Sequence, residues 1–499
     1  MVEIKTIQKR TVKADDVYLC DESKMPGGKA EEVFFPKNIE ELSSLAAHFY
    51  SLKKPYTVFG RGTGITGASV PLEGAVISLE KMNKINDLAH CKQTGKPFLK
   101  AESGVTLTEI KTSLERFFYP VDPTEMSASI GGTVVTNASG ACSFKYGATR
   151  KWIKSLKIVL PDGSVERIER GKYFADNEGI IHFSGKKIKV PQYKMPECKN
   201  AAGLYSCPGM DLIDLFIGSE GILGIVGEVE IWLEKKFPAV SFIAFFEDEQ
   251  KAVDFVGILR NSDPKPEFIE YVDRLGLKML KEKSAQDPAS LNIPPLPENS
   301  EGGIFFDTAY NEGNIIEVLE KTNEIMSQAT GFTGSFCAWE NIEKERIKFF
   351  RHALPETVNS FISEIKREYP DIHKLGTDIA VPHENFNEMN LFSKNTIGRS
   401  GLKFVSFGHI GDSHIHFNII PQNYDELEEG KKIYGILAAK AVELGGTVSA
   451  EHGIGKLKRK YLEIMYGSKG IEEMRKVKKC LDPEFLLNRG NMFEPGERS

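Results

Sequence analysis

The loop at residues 60–69, Gly-Arg-Gly-Thr-Gly-Ile-Thr-Gly-Ala-Ser, most restricts the fold because of the segments on either side of it. Residues 55–59 before it and residues 74–79 after it both predict strands. Residues 62–67 match GxGxxG, but a dinucleotide-binding unit must open a helix so that the pyrophosphate lies on the helix N-terminus. A strand follows here, which disfavours a Rossmann unit. Ala68 stands where a P-loop requires lysine, which excludes that motif as well.

Two further glycine-rich segments, Ile130–Gly147 and Ile217–Val226, follow in the first half of the chain. The earlier of them leads into a predicted hairpin that turns at residues 161–163, Pro-Asp-Gly. Glycine lets backbone N–H groups approach an anion and form a concave nest without a helix. Any one loop is more often an ordinary turn. Three together favour one large phosphate-bearing ligand that is contacted from several sides.

From about Phe237 the pattern changes to alternating strands and helices, which is typical of an α+β domain. The segment Ser284–Glu301 predicts a surface excursion. At 499 residues the chain is too long for one core, so more than one domain is expected. The predicted strand–helix pairs are Val240–Phe246 with Gln250–Arg260, and Ile304–Phe306 with Asn314–Gln328.

Composition and charge restrict the class of protein. The chain is 41% hydrophobic and 27% charged, which is ordinary for a soluble protein, and its net charge of −6 gives no reason to expect nucleic acid. Its seven cysteines form no CxxC pair, which argues against a disulfide framework or an iron–sulfur cluster in this chain. The N-terminal residues lack the apolar region of a signal peptide, and no apolar run approaches the roughly 20 residues that span a bilayer. A cytoplasmic protein is therefore expected.

Four of the ten histidines fall in two short segments, Phe407–His416 and Ser449–Gly455. Residues 404–409 and 414–420 predict two strands on either side of a tight turn. Strand alternation would then place His414, His416 and Asn418 on one face. Two imidazoles and a carboxylate are a common ligand set for a catalytic divalent metal, and a further histidine beside the carboxylate would serve as a base. A structural site, solvated surface histidines and an iron site for oxygen chemistry are the alternatives.

Taken together, these segments resemble the FAD-linked oxidases whose flavin domain is of the vanillyl-alcohol-oxidase type. Within them the chain resembles the D-lactate, glycolate and D-2-hydroxyglutarate dehydrogenases, from about residue 30 to 495. The resemblance implies an α+β fold: a two-part, PCMH-type FAD-binding domain over residues 1–236 and a ferredoxin-like substrate (cap) domain with a metal site over residues 237–478. Residues 479–499 would form a C-terminal segment that returns to the flavin.

The resemblance implies FAD contacts from the three glycine-rich segments and from the C-terminal segment. Relatives with covalent flavin use a histidine in the first loop or a cysteine nearby, and neither occurs between Pro55 and Ser78, so non-covalent FAD is expected. Thr133, Ser139 and Ile222 depart from the common family residues, which changes individual contacts only. The implied FAD-binding residues are Arg61, Gly62, Thr63, Gly64, Gly67, Ser69, Pro123, Thr124, Gly131, Gly132, Asn137, Gly140, Gly147, Glu220, Gly221, Gly224, Ile225 and Asn488.

The same resemblance assigns a second set of residues to the chemistry. His452 matches the base, Asn418 a substrate contact, and Arg351 the arginine that pairs with the substrate carboxylate through its planar fork. His414 replaces the family's usual asparagine, and an extra metal ligand, a substrate donor and a non-ligating polar residue are its open alternatives. Gly376 stands where some relatives place a lysine, which favours a small monocarboxylate. The implied ligands of a divalent metal, Zn²⁺ or Mn²⁺, are His409, His416 and Glu451.

The resemblance implies an enzyme that oxidises a D-2-hydroxy acid, D-lactate first, to the 2-oxo acid. D-2-hydroxyglutarate and glycolate are the alternative substrates. An electron-transfer flavoprotein, an iron–sulfur subunit or a soluble acceptor would take the electrons, and a homodimer is compatible with the resemblance. Two rival hypotheses stay open. The first rival is a non-redox group-transfer flavoenzyme of the same superfamily, and metal analysis would distinguish it from the dehydrogenase. The second is a binding subunit with an inactive site, and anaerobic flavin bleaching by substrate would distinguish it.

Overall fold

A computed structural model of the chain describes residues 2–286, 296–311 and 313–494. The predicted excursion at 284–301 falls partly outside these residues. We call residues 2–236 the N-terminal half and residues 237–494 the C-terminal half. The largest cluster of buried apolar side chains contains residues of both, from Leu99 to Phe493. Within the described residues, no helix is both long and apolar enough to cross a membrane.

The N-terminal half is built on sheets of four, five, two and two strands. Its strands are β1 (Lys9–Thr11), β2 (Glu32–Phe34), β3 (Tyr56–Phe59), β4 (Ala75–Ser78), β5 (Ala89–His90), β6 (Pro97–Glu102), β7 (Phe117–Phe118), β8 (Ile153–Val159), β9 (Val165–Glu169), β10 (Ile180–Phe183), β11 (Lys186–Lys189), β12 (Ile225–Trp232) and β13 (Glu234–Lys235). Its helices are α1 (Ile39–Ser51), α2 (Leu107–Thr112), α3 (Ile130–Thr136), α4 (Ser143–Tyr146) and α5 (Leu212–Phe216). The strand orders are β1-β2-β4-β3 and β5-β6-β12-β8-β9, with β10-β11 and β13-β7 as separate pairs.

The first glycine-rich loop connects β3 to β4, which are parallel neighbours, so the predicted strand after the loop is confirmed. Helix α1 precedes them. It begins where the Asn38 side chain accepts a hydrogen bond from Glu41 N, and it buries Leu42, Leu45 and Phe49 on one face. The predicted hairpin at residues 161–163 is also confirmed, as β8 and β9 pair antiparallel around it.

The second glycine-rich segment differs from the prediction. The prediction gives no helix in this segment, yet the short helices α3 and α4 occupy much of it. The Ser129 side chain caps α3 by accepting from Gly132 N, and Ile130 and Val134 are buried one turn apart. Gly131 allows the close packing, since a Cβ there would lie 2.5 Å from Ser103 Cβ.

The C-terminal half contains one seven-stranded antiparallel sheet in the order β17-β14-β16-β15-β19-β20-β18. Its strands are β14 (Ala239–Phe246), β15 (Ile269–Asp273), β16 (Gly302–Ala309), β17 (Phe332–Ala338), β18 (Leu375–Gly376), β19 (Phe404–Gly408) and β20 (His416–Ile419). Its helices are α6 (Glu249–Arg260), α7 (Arg274–Gln286), α8 (Ile315–Ser327), α9 (Asn341–Ile365), α10 (Phe386–Ser400), α11 (Tyr424–Glu443) and α12 (Arg459–Leu481). Both predicted strand–helix pairs are confirmed. Strands β14 to β17 stand in the order 4-1-3-2, so the predicted ferredoxin-like core is confirmed too, with β19, β20 and β18 added at one edge.

Short 3-10 helices complete the described secondary structure. They lie at Ile4–Thr6, Val17–Leu19, Thr149–Trp152, His383–Asn385 and Ile410–Asp412.

The end of the chain returns to the N-terminal half. Tyr56 N donates to Leu486 O at 3.0 Å, and Asn488 N donates to Tyr56 O at 3.0 Å, so the segment after α12 lies beside β3. The predicted boundary at residue 478 falls inside α12, whose buried Lys478 Nζ donates to Leu487 O at 2.9 Å. This return holds the C-terminal segment against the first glycine-rich loop.

Candidate active site

Two cavities meet where the halves join. The smaller, of about 360 Å³, lies among the glycine-rich segments, and we call it the glycine-loop cavity. The larger, of about 1860 Å³, is walled largely by the C-terminal half, and we call it the cap cavity. His409, Glu451 and His452 line both. His409, Glu451 and the predicted base His452 therefore stand at the junction of the two cavities, whereas His416 lines the cap cavity alone.

Most predicted FAD-binding residues come together around the glycine-loop cavity. Gly67, Asn137 and Gly147 do not line it. Asn137 instead joins neighbouring segments: its Oδ1 accepts from Arg150 N at 3.0 Å, and its Nδ2 donates to Asn200 O at 3.2 Å. The lining residues from the predicted set are Arg61, Gly62, Thr63, Gly64, Ser69, Pro123, Thr124, Gly131, Gly132, Gly140, Glu220, Gly221, Gly224, Ile225 and Asn488.

Glu220 and Asn488 hold the loops of this cavity together. Glu220 Oε2 accepts from Gly455 N at 2.8 Å, which ties the third glycine-rich segment to the loop that carries His452. Asn488 Oδ1 accepts from Val58 N at 2.8 Å, and its Nδ2 donates to Glu220 O at 3.2 Å. Burial raises the pKa of Glu220, although the backbone N–H groups partly offset this effect. These side chains shape the cavity mainly through contacts within the protein.

The predicted metal ligands converge. His409 Nε2 lies 3.3 Å from Glu451 Oε1, and His416 Nε2 lies 3.7 Å from Glu451 Oε2. One ligand atom from each of the three residues falls within 4.8 Å of the others. The hairpin of β19 and β20 supplies both histidines on either side of its turn, while Glu451 comes from the loop after α11.

The second nitrogen of each histidine also has a neighbour. His416 Nδ1 is hydrogen-bonded to Thr377 O at 2.8 Å, and His409 Nδ1 lies 2.9 Å from Glu270 Oε1. Histidines that bind metals usually have such a partner, which orients the ring and leaves the other nitrogen available as the metal ligand. The two Nε2 atoms and the carboxylate therefore fit a divalent cation.

The pKa values of the titratable residues in this cluster depend on one another. Burial by itself lowers the pKa of His409, but the Glu451 carboxylate, together with Glu270, raises it to about 9. Burial and the neighbouring His414 ring hold the pKa of His416 well below its usual value. Burial raises the pKa of Glu270, yet Arg351 and His409 outweigh this effect and lower that pKa to about 2. Burial raises the pKa of Glu451, but His409 and Lys199 outweigh it and hold that pKa well below its usual value. Glu270 and Glu451 therefore stay ionised at neutral pH.

Asp378 organises the loop that carries the predicted base. Its buried carboxylate lies 3.2 Å from His452 Nδ1 and accepts from the backbone N–H groups of Glu451 and His452, each at 3.1 Å. Lys458 Nζ lies 2.8 Å from the same carboxylate. Because Nδ1 faces Asp378, Nε2 is the ring nitrogen of His452 that is left for the cavities. Sequence reasoning missed this role, since nothing in the sequence links residue 378 to residue 452.

His414 departs from the predicted arrangement. The alternation predicted it on the same face as His416 and Asn418, but it is fully buried and lines neither cavity. Strand β20 begins only at His416, and Ser413 has a φ of 57°, so strand alternation does not extend back to residue 414. His414 Nε2 lies 3.4 Å from Asp378 Oδ1. His414 therefore lies beside Asp378 and is not among the three converging ligands.

Arg351 and Asn418 line the cap cavity. Arg351, on α9, lies with its Nε 3.3 Å from Glu270 Oε2, while its buried Nη1 has no hydrogen-bond partner within the described residues. A guanidinium at the wall of a cavity fits an acidic ligand. Gly376 stands opposite Asn418, and a Cβ there would lie 3.0 Å from Asn418 Oδ1. The absence of a side chain at residue 376 thus leaves Asn418 in place.

Comparison with known families decides the identity. Residues 238–492 match the family described as "FAD linked oxidases, C-terminal domain", and residues 30–169 match the one described as "FAD binding domain". This chain belongs to the FAD-linked oxidase family. The predicted resemblance is confirmed: this FAD-linked oxidase is an oxidoreductase, and FAD is its cofactor.

Individual relatives extend over nearly the whole FAD-linked oxidase. It is 28% identical to the glycolate oxidase subunit GlcD of Bacillus subtilis, covering 97% of this chain and 93% of that one. It is 30% identical to a probable mitochondrial D-lactate dehydrogenase of Danio rerio, covering 93% and 84%. Among solved structures, an alkyldihydroxyacetonephosphate synthase superposes with a TM-score of 0.60 at 17% identity, covering 92% of this chain and 77% of that one. The last match shows a shared fold.

Proposed function

We propose that this FAD-linked oxidase oxidises a D-2-hydroxy acid, with D-lactate as the first choice, to the corresponding 2-oxo acid. The single observation that carries the proposal is that His409, Glu451 and His452 line both cavities. A substrate in the cap cavity would touch these residues on one side of the junction, with the flavin on the other. Relatives named D-lactate dehydrogenase and glycolate oxidase support this substrate class.

In this proposal residues 1–236 hold FAD without a covalent bond, residues 237–478 form the cap, and residues 479–499 close the flavin site. The glycine-loop cavity would receive the cofactor. Gly62 and Gly221 both have a φ of 69°, a conformation that favours glycine, and they allow the backbone to approach an anion. Bound FAD supplies the two-electron acceptor.

His409, His416 and Glu451 would hold Zn²⁺ or Mn²⁺, and such an ion supplies stabilisation of negative charge on a substrate oxygen. The fit rests on three converging ligand atoms, on the hydrogen bond between His416 Nδ1 and Thr377 O, and on the 2.9 Å distance between His409 Nδ1 and Glu270 Oε1.

His452 acts as the base in this proposal. Its Nε2 would accept the proton of the substrate hydroxyl group, and Asp378 would stabilise the imidazolium that forms. The ring is partly exposed, with 29% of the side chain accessible, which fits a group that must reach a ligand in the cavity.

Arg351 binds the substrate carboxylate in this proposal. Its guanidinium borders the cap cavity, and Glu270 holds the guanidinium at Nε. Asn418 would contact the substrate from β20. Together they would orient the hydrogen on C2 of the substrate towards the glycine-loop cavity. Gly376 offers no second cation at its position, which supports a small monocarboxylate.

An anaerobic screen of 2-hydroxy acids, using both enantiomers and the FAD-loaded protein, tests the proposal. We expect D-lactate to bleach the flavin absorbance faster than L-lactate, and we expect a chelator to slow the bleaching until Zn²⁺ or Mn²⁺ is restored. A protein with full FAD and metal content that no D-2-hydroxy acid bleaches would contradict the proposal.

The reduced protein must then pass its electrons on. An electron-transfer flavoprotein or an iron–sulfur subunit is the proposed acceptor, with a small soluble acceptor as the alternative. Mixing substrate-reduced protein with each acceptor class and following flavin reoxidation would separate them. Size-exclusion chromatography with light scattering would test the proposed homodimer.

A further inference from the structure

A buried lysine stands behind the proposed metal-binding carboxylate. Lys199 Nζ contacts Glu451 Oε1, and only 5% of the lysine side chain is exposed. The same Nζ lies 3.5 Å from Asp412 Oδ2, an oxygen that also accepts from Ser143 Oγ at 2.5 Å. Lys199 is therefore enclosed between two carboxylates, although the sequence around it carries no motif that singled it out.

This placement separates Lys199 from the substrate and the flavin. Lys199 lines neither the glycine-loop cavity nor the cap cavity, whereas Glu451 lines both. Buried ammonium groups are costly unless carboxylates pair with them, and here Glu451 supplies one of the two partners. The lysine thus places a positive charge beside a carboxylate that a metal would also use.

We propose that Lys199 is a resident cation that shares Glu451 with the divalent metal and keeps the metal affinity below the value that the three ligands alone would give. The inference rests on the metal site of the proposed function. It adds a positioning residue that touches neither substrate nor cofactor and acts through Glu451.

The physical argument is a competition for one carboxylate. A divalent ion held by His409, His416 and Glu451 must approach the Lys199 ammonium, and repulsion between like charges is strong in a poorly solvated site. Without the ion, the same ammonium neutralises Glu451 and stabilises the protein. By linkage, a group that stabilises the metal-free state more than the metal-bound state weakens binding.

Asp412 should raise the metal affinity that Lys199 lowers. Its carboxylate partly neutralises Lys199 and adds negative charge beside the site, yet it is not one of the converging ligand atoms. Removing its charge should therefore weaken metal binding, whereas removing the charge of Lys199 should strengthen it. If Lys199 served only to stabilise the fold, removing the two charges would not change the metal affinity in opposite directions.

Two variants of the FAD-loaded protein test the inference: Lys199→Met, which keeps an unbranched side chain one atom shorter and removes its charge, and Asp412→Asn. Each metal-free protein is titrated with Zn²⁺ and with Mn²⁺ against a competing chelator. We expect Lys199→Met to bind at least about tenfold more tightly than wild type, and Asp412→Asn about three- to tenfold more weakly. Metal-free Lys199→Met should also have a lower Tm than wild type, and its Tm should rise more when the ion is added.

Lys154→Met is the matched control. It removes a similarly close ion pair, with Glu230, in the five-stranded sheet, and we expect its metal affinity to equal that of wild type. Lys199→Met that binds the ions with unchanged or weaker affinity overturns the inference. If Lys199→Met does not fold, Asp412→Asn decides, and unchanged or tighter binding overturns it. Wild-type protein that binds neither ion overturns the proposed metal site and this inference together, whereas a failure confined to the variants overturns the inference alone.

Discussion

Replacing His452 with alanine tests the base most directly, because the structure separates the expected loss of rate from any loss of stability. The ring is partly exposed, and among the described residues its ion-pair partner is Asp378, at 3.2 Å. Asp378 keeps Lys458, Ser449 and the two backbone N–H groups of Glu451 and His452 in the variant. No buried charge is therefore left without a partner.

The magnitudes follow from this geometry. Removing a partly exposed side chain whose neighbour stays paired should lower the free energy of unfolding by about 1 kcal/mol or less. Loss of a general base should slow flavin reduction by about 10²–10⁴-fold, which corresponds to roughly 3–5 kcal/mol of transition-state stabilisation. The loss of rate should thus exceed the loss of stability several-fold when both are expressed in energy.

Anaerobic stopped-flow mixing with the preferred hydroxy acid measures the rate constant of flavin bleaching directly. FAD content, metal content and Tm of His452→Ala should match those of wild type, which serves as the control for folding. Bleaching at the wild-type rate would show that another group takes the hydroxyl proton, and it would refute the assignment of His452.

Four further results are expected. Asp378→Asn should lower both Tm and the bleaching rate, because an amide cannot accept all the hydrogen bonds of the carboxylate; equal Tm in thermal unfolding would contradict this account. Arg351→Lys, which keeps the charge beside Glu270 but loses the fork, should raise the KM for the hydroxy acid about tenfold or more in steady-state assays, and an unchanged KM would exclude a bidentate carboxylate contact. Chelation should lower the Tm of the FAD-loaded protein, and Zn²⁺ or Mn²⁺ should restore it, as followed by calorimetry. Asn488→Ala should cost about 1–3 kcal/mol in urea unfolding and speed FAD release, since it leaves Val58 N unpaired and leaves Asn491 Nδ2 as the one side-chain donor to Glu220 O among the described residues; retention of both properties would contradict its clamping role.

Much of the architecture was predictable because local patterns carry it. Helix α1 and the strand–helix pairs of the C-terminal half follow from apolar spacing and from a capping side chain, Asn38. The hairpin after the second glycine-rich segment follows from its Pro-Asp-Gly turn. Helix α3 was missed because glycines at residues 131 and 132 disfavour a helix, and only packing against Ser103 and the cap from Ser129 overcome that preference.

The candidate site was likewise predictable in part from the sequence, and the rest depended on the tertiary structure. His409, His416, Glu451 and His452 could be named from two short segments, since residue type and close spacing carry that signal. His414 could not be placed, because strand alternation predicts a face only where a strand exists, and β20 begins two residues later.

What the sequence by itself determined is the family, the FAD cofactor and the inventory of polar groups that can bind an ion or move a proton. Tertiary structure alone decided which of those groups meet. Asp378 orients His452, Glu270 faces both His409 and Arg351, and Lys199 contacts Glu451 from a segment far away in the chain. The physical reason is that electrostatic partners depend on distance in space and on burial, and neither quantity is encoded in the spacing of residues along the chain.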